Sequence, residues 1–302
     1  MSLRLSLINM GLRVFARRRL QHLTDPKAAR AELERMARFS LARPRGVTIR
    51  SEPAAQAVPS LFWFTPPQAG PKVLLYFHGG GYIAGSPHSH RGLLAALARS
   101  SGVEVCVPRY RFAPEHPFPA AQDDALAAWR RLRVMGYAPG DIAVAGDSAG
   151  GGLALSLLSR LCVEGTPPAA AVVFSPWTDM TGSGASCREN AERDPLLPVG
   201  RLGELAGYAL AGHDPSDPRA SPLFAAYPDC PPVFFAVSDS EVLRDDSTRL
   251  FARLKAEGVT AEIHMSPDCP HAWPVFVHRL PEADATIRIA ADFLIRHFGP
   301  RI

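Results

Sequence analysis

Cysteine is scarce and scattered in this chain. Cys106, Cys162, Cys187, Cys230 and Cys269 form no CxxC pair, and their odd number leaves at least one thiol unpaired. That excludes a disulfide-stapled scaffold and favours a reducing compartment. Long apolar runs are missing as well. No stretch reaches membrane-spanning length, and the opening MSLRLSLINMGLRVFARRRL is interrupted by Arg and Asn, lacks a small-residue cleavage pattern and ends in an arginine cluster. Neither stable membrane insertion nor a secretory leader is expected, and the expected placement is a soluble protein of the cytoplasm. Metal-ligand spacing is also absent. His88 and His90 stand two apart with no carboxylate or cysteine cluster beside them, and His116 is isolated, so no metal and no other cofactor is expected. Charge is nearly balanced: the net +4 comes mainly from arginines such as Arg13, Arg17, Arg18 and Arg19, which read as a solvated helix face, with attraction to an anionic surface or partner as the alternative, and no nucleic-acid partner is expected.

What is present suffices for one large core. Of 302 residues, 47% are hydrophobic and 21% charged, and no long polar linker divides them, so a single domain with small additions is expected. Two helical segments open the chain, within residues 1–45. Leu3, Leu7, Met10 and Val14 fall on one face of the first, Leu33, Met36 and Ala37 mark the second, and Asp25 with Pro26 read as its N-cap and first turn. From about Val47 the pattern changes to short β-rich runs: VTIR, SLFWF, KVLLYF, VEVCV, DIAVAG, AAVVFS, PVFFAV and TAEIHM. Helical stretches separate the later ones, among them Ala120 to Arg133, Ala149 to Glu164, Thr248 to Glu257 and Ala283 to His297. Continuous apolar runs suit strands buried on both faces of a mostly parallel sheet, so residues 46–302 read as an α/β domain. Residues 180–222, rich in Gly, Ser, Asp and Pro around a helical stretch at Leu202 to Leu210, break the rhythm and read as an insertion between strands.

The sharpest local signal is DIAVAGDSAGGGLALSLL, an apolar strand running into Gly146-Asp147-Ser148-Ala149-Gly150 with a helix following at once. A turn that tight forces Ser148 into strained backbone angles, and small neighbours avoid collision. The helix then directs N–H groups and its positive end toward the serine, where acyl transfer develops negative charge. A glycine-rich strand-to-helix turn can also bind phosphate or merely pack closely. A second element favours acyl transfer: KVLLYF ends in His78-Gly79-Gly80-Gly81. Consecutive glycines expose N–H groups without side chains, so Gly79, Gly80 and Gly81, joined by Ala149, are candidate oxyanion donors. His78 reads as a structural residue that holds this loop.

HGGGYIAGS from His78, YRFAPEHPFPAA from Tyr110, GDSAGG from Gly146 and SDSEVLRDD from Ser238, closed by His271 in PHAW, resemble the hormone-sensitive-lipase-like group of α/β-hydrolase carboxylesterases over residues 45 to 300. The resemblance implies an α/β-hydrolase fold with a mostly parallel sheet of about eight strands and a helical cap, formed by the two N-terminal helices and the insertion around Arg188 to Asp217. It implies a triad of Ser148, an acid after the seventh strand and a histidine after the acid. Glu241 stands at the matching position, Asp239 two residues away remains the alternative, and Asp245 and Asp246 read as caps and first-turn acids of the next helix. His271 has the required order, whereas His264 lies inside a strand and His278 and His297 in or near the terminal helix. A small-molecule ester with a short to medium acyl chain is the implied substrate. Acyl transfer, amide hydrolysis and a non-catalytic binding role use the same architecture. Relatives of this group often pair through the edge strand, here TAEIHM, and an exposed edge can equally be shielded by a loop, so a homodimer and a monomer both stay open.

Overall fold

The computed structural model describes residues 2–40, 46–55 and 57–298. The expected boundary between residues 1–45 and 46–302 adjoins positions 41–45, which lie outside the described residues. The β-branched and aromatic runs form β1 (Thr48–Glu52), β2 (Leu61–Thr65), β3 (Val73–Phe77), β4 (Glu104–Pro108), β5 (Ile142–Asp147), β6 (Ala171–Phe174), β7 (Val233–Ser238) and β8 (Ala261–Ser266). They make one eight-stranded sheet in the order β1-β2-β4-β3-β5-β6-β7-β8. The pairs β1–β2 and β2–β4 are antiparallel, and all pairs from β4–β3 to β7–β8 are parallel. The strand runs imply a mostly parallel sheet, and this order is the α/β-hydrolase arrangement that the family resemblance implies.

Helices alternate with the strands. At the start α1 (Leu3–Gly11) passes through a π-helical stretch, Leu12–Arg17, into α2 (Arg18–His22), and α3 (Pro26–Ser40) follows. The Asp25 carboxylate accepts the N–H groups of Lys27 and Ala28, which makes it the N-terminal cap of α3. Then come α4 (Arg91–Ser101), α5 (Ala120–Val134), α6 (Ser148–Val163), α7 (Ser186–Glu189), α8 (Gly200–Leu210), α9 (Arg244–Ala256) and α10 (Pro281–Phe298). Among the described residues no helix is long and apolar enough to cross a membrane.

Side chains alternate across each strand, so every parallel strand feeds two cores. Leu75, Phe77, Val144, Val173 and Phe235 join the side chains of α5, α6 and α9 on one face. Leu74, Tyr76, Ala145, Phe174 and Phe234 join those of α4 and α10 on the other. That double burial explains why these strands read as unbroken apolar runs. β8 at the edge is half-exposed along most of its length, as its mixed sequence implies.

Three features go beyond the sequence expectations. The helix α4 was not among the helical stretches read above, yet it packs Leu93, Leu94 and Leu97 against the sheet. The stripe Leu3, Leu7, Met10 and Val14 faces outward, and the opposite side of the helix, with Leu5, Leu12 and Ala16, is the buried one. Asp245 and Asp246 do lie in the first turn of α9, but their carboxylates bind the chain that follows β6. Asp246 accepts the N–H groups of Thr178 and Asp179, and Asp245 accepts that of Ser186. Burial pushes Asp246 up to about 7.

Phe234 on β7 is almost fully buried, with its ring 5.6 Å from that of Phe293 on α10. Phe234→Ala should lower unfolding free energy in urea by about 3–5 kcal/mol. An unchanged midpoint would mean that α10 does not depend on this contact.

Candidate active site

The end of β5 and the start of α6 are welded to the end of β3. Ser148 adopts φ +53° at the turn, a left-handed conformation costly for a residue with a side chain and sustained only when its surroundings over-determine it. The surroundings are backbone: a Cβ at Gly150 would overlap the carbonyl oxygens of Phe77 and His78, and one at Gly146 would overlap the carbonyl of Gly150. Only glycine lets the first turn of α6 lie this close to the strand that carries the glycine loop. The same loop turns at Gly80, whose φ is +130° and whose added Cβ would run into the Ala84 carbonyl.

His271 arrives from the loop after β8, and its Nε2 lies 2.8 Å from Ser148 Oγ. Its Nδ1 lies 2.6 Å from Glu241 Oε2. With Nδ1–H donated to the carboxylate, Nε2 presents its lone pair to the serine hydroxyl. Glu241 is fully buried, and its other oxygen accepts the Ser238 N–H at 2.8 Å and the Ser175 hydroxyl at 2.9 Å, so the carboxylate is held at both ends. Burial opposes charging of His271, and the hydrogen bond and charge of Glu241 outweigh it, holding the imidazole above the ordinary histidine value of 6.5. Asp239 points elsewhere: it accepts the Asp268 N–H and pairs with Arg193. Of the two candidate acids, the geometry brings Glu241 alone to the imidazole.

The glycine loop is divided in its use. Gly79 donates its N–H to Asp147 Oδ1 at 3.0 Å, which corrects the expectation that it is available as an oxyanion donor. Among the described residues no acceptor takes the N–H of Gly80 or Gly81, and Ala149, in the first turn of α6, has no intrahelical acceptor within reach. His78 is buried, donates Nδ1–H to the Gly79 carbonyl and stacks on Tyr110 at 4.6 Å. Burial and the neighbouring His90 push it down to about 3, so it is neutral and structural. The Tyr110 hydroxyl donates to the His78 carbonyl at 2.7 Å, which gives the YRFAPEHPFPAA segment a physical task in bracing this loop.

Several supporting residues had no recognisable signal in the sequence reading. Besides Gly79, Asp147 accepts the Tyr76 hydroxyl at 2.7 Å and faces His90 Nε2 at 3.3 Å. Burial works against the Asp147 charge, but the facing His90 holds it below the ordinary carboxylate range, and Asp147 in turn raises His90. Its place between Gly146 and Ser148 was the only available hint. Ser175, with φ +46° at the exit of β6, accepts the Ala272 N–H at 3.1 Å while donating to Glu241. From the insertion, Asn190 donates to the carbonyls of Asp239 and Glu241, and Asp194 accepts the Val242 N–H. Part of residues 180–222 therefore supports the acid loop.

A cleft of about 230 Å³ opens above Ser148 and His271. The N-terminal helices contribute Leu20, Leu23, Ala29 and Leu33 to its walls, and the insertion contributes Leu197, Leu202 and Leu205. Arg201 lines it too, but its guanidinium is engaged by the Leu23 carbonyl and by Glu204. The rest of the lining is mainly apolar, with Ser89, His90 and Asp147 as the further polar residues beside Ser148 and His271. Among the described residues no cluster of three or more His, Cys, Asp or Glu could hold a metal ion.

Residues 74–275 match the model of a protein family described as alpha/beta hydrolase fold. An acetyl-hydrolase of Streptomyces hygroscopicus is 42% identical over 77% of this chain and 78% of its own length. An esterase of Acinetobacter venetianus is 32% identical over 89% of this chain and 88% of its own. The solved structure of an esterase from the bacterial hormone-sensitive lipase family superposes with a TM-score of 0.92 at 37% identity, covering 99% of each chain. The chain therefore belongs to the alpha/beta hydrolase fold family and, within it, to the hormone-sensitive-lipase-like carboxylesterases.

Proposed function

We propose that this carboxylesterase hydrolyses short- to medium-chain acyl esters through an acyl-enzyme on Ser148, with His271 as general base and Glu241 as the acid that orients it. The observation that carries this reading is the unbroken line from Glu241 Oε2 to His271 at 2.6 Å and from His271 to Ser148 Oγ at 2.8 Å.

His271 takes the Ser148 proton as Oγ attacks the ester carbonyl carbon. The carbonyl oxygen, now carrying the charge, meets the N–H groups of Gly80, Gly81 and Ala149 and the positive end of α6. The imidazolium, stabilised by Glu241, returns its proton to the departing alcohol oxygen as the carbon–oxygen bond breaks. Water, deprotonated by His271, then attacks the acyl-Ser148 carbonyl, and the carboxylic acid leaves with Ser148 reprotonated. The cleft of about 230 Å³ is below the roughly 300–1,000 Å³ of drug-sized ligand pockets, which suits small esters. The N-terminal helices and the insertion act as the cap that sets acyl length. Five unpaired cysteines suit a cytoplasmic setting, and the half-open edge of β8 is the surface on which a second copy would pair.

Ser148→Ala should reduce kcat on a p-nitrophenyl acyl ester by about 10⁴- to 10⁶-fold with the denaturation midpoint unchanged; retained turnover would end the nucleophile assignment. Neutral His271 is the active form and its pKa is raised. kcat/KM should therefore climb with pH through a half-maximum above about pH 6.5. Glu241→Gln removes the raising influence and leaves burial, so the acidic limb should move to lower pH while kcat falls about 10⁴-fold. A limb that stays in place would show that another group governs it. Leu33→Trp, which narrows the cleft from the N-terminal side, should lower kcat/KM for octanoyl relative to acetyl esters by about tenfold, and an unaltered chain-length profile would remove the cap assignment.

A further inference from the structure

The N-terminal helix carries an apolar face that the chain itself does not cover. Leu3, Leu7, Met10, Val14 and Phe15 are 85%, 63%, 58%, 44% and 75% exposed. Single exposed apolar side chains are ordinary on protein surfaces, whereas a contiguous group of them marks a contact site. These five are among only twelve large apolar side chains so exposed in the described residues, and they lie on one rod of helix. The spacing 3, 7, 10, 14 makes a single stripe along that rod. The opposite side, with Leu5, Leu12 and Ala16, is buried against the core, so the rod is already docked and its stripe points away from the body.

The charges on the helix itself have one sign, and the acidic groups beside it, Glu192, Glu32 and Asp268, come from the body of the protein. No Asp or Glu occurs before Asp25, while Arg4, Arg13, Arg17, Arg18 and Arg19 all do. Arg13 and Arg17 bind the carbonyls of residues 191–193, Arg17 also pairs with Glu192, and Arg19 pairs with Glu32. Arg4 and Arg18, near the two ends of the stripe, are exposed and have no acidic partner among the described residues. Apolar side chains pointing outward between unpaired cations fit a surface that is apolar beneath an anionic layer. A second copy fits poorly, because a two-fold contact through this face would set arginines against arginines with no carboxylate on either helix.

We propose that the outer face of residues 3–18 is a peripheral docking surface for an anionic lipid bilayer, on which the helix lies flat with Leu3, Leu7, Met10, Val14 and Phe15 below the headgroups and Arg4 and Arg18 among them. The rod does not cross the bilayer, since its inner side stays on the protein core. It continues directly into Leu20 and Leu23, which wall the cleft over Ser148. Docking therefore sets the N-terminal wall of that cleft beside the lipid, where ester substrates that partition into membranes are concentrated.

The test is co-sedimentation of the full-length chain with vesicles of phosphatidylcholine alone and of phosphatidylcholine mixed with phosphatidylglycerol. The protein should pellet with the mixed vesicles and roughly tenfold less with the neutral ones. Leu7→Glu/Phe15→Glu should weaken mixed-vesicle binding by at least about tenfold. Turnover of a water-dissolved acetyl ester should stay unchanged, since both side chains are exposed and outside the cleft, and that turnover also reports that the variant is folded. A wild-type protein that remains in the supernatant overturns the proposal. So does a wild-type dimer, seen by light scattering, that the double variant converts to monomer, because the face would then belong to a second copy.

Discussion

The active site depends on the contact of one backbone against another. The first turn of α6 lies so close to the end of β3 that no side chain fits between them at Gly146 or Gly150. Ser148 is consequently held at a positive φ beside the glycine loop, and the N–H groups of Gly80 and Gly81 have no acceptor among the described residues. Their placement is not adjustable by rotamer, because they are main chain. In the mechanism proposed above, such preorganisation lets donors stabilise a developing charge without moving as it forms.

Around this fixed centre the polar side chains form two separate braces. One runs from Tyr76 and His90 through Asp147 to Gly79 and holds the glycine loop. The other runs from Ser238 and Ser175 through Glu241 to His271 and sets the imidazole. Each contains a buried carboxylate that is offered several donors, the condition under which a buried charge is tolerated. The insertion contributes to the second brace through Asn190 and Asp194, so the segment that walls the cleft also anchors the acid loop. Changes to residues 180–222 therefore reach the chemistry as well as the pocket shape.

The sequence was most legible where local pattern and tertiary role coincide. β3, β5, β6 and β7 are buried on both faces and read as continuous apolar runs. The GDSAG turn declares itself because its glycines serve a contact whose other half is also glycine-rich. Placement in a loop, and not in a strand or the terminal helix, separated His271 from His264, His278 and His297, and the match to the family motif after β7 favoured Glu241 over Asp239. Pairings across long sequence separation were not legible. Gly79 stood beside Gly80 and Gly81 as an adjacent candidate donor, and only the fold brings Asp147, 68 residues away, to take its N–H. Ser175 and Asp246 are ordinary residues by composition and acquire their tasks only from what the fold brings opposite them. The first helix shows the limit of periodicity: Leu3, Leu7, Met10 and Val14 define a face, but a helix apolar on two sides does not say which one meets the core.

Ser175 touches both moving parts of the proton-transfer apparatus, giving its hydrogen to the acid and receiving the one on the backbone of Ala272, directly after the base. A hydroxyl used in both directions acts as a latch between two loops that are also joined by the imidazole, by the Asp268 N–H on Asp239 and by the Ser240 hydroxyl on the Cys269 carbonyl. The acid loop and the histidine loop are therefore cross-linked at several points beside the reacting pair, so the spacing of base and acid is fixed by bonds that none of the reacting atoms has to supply.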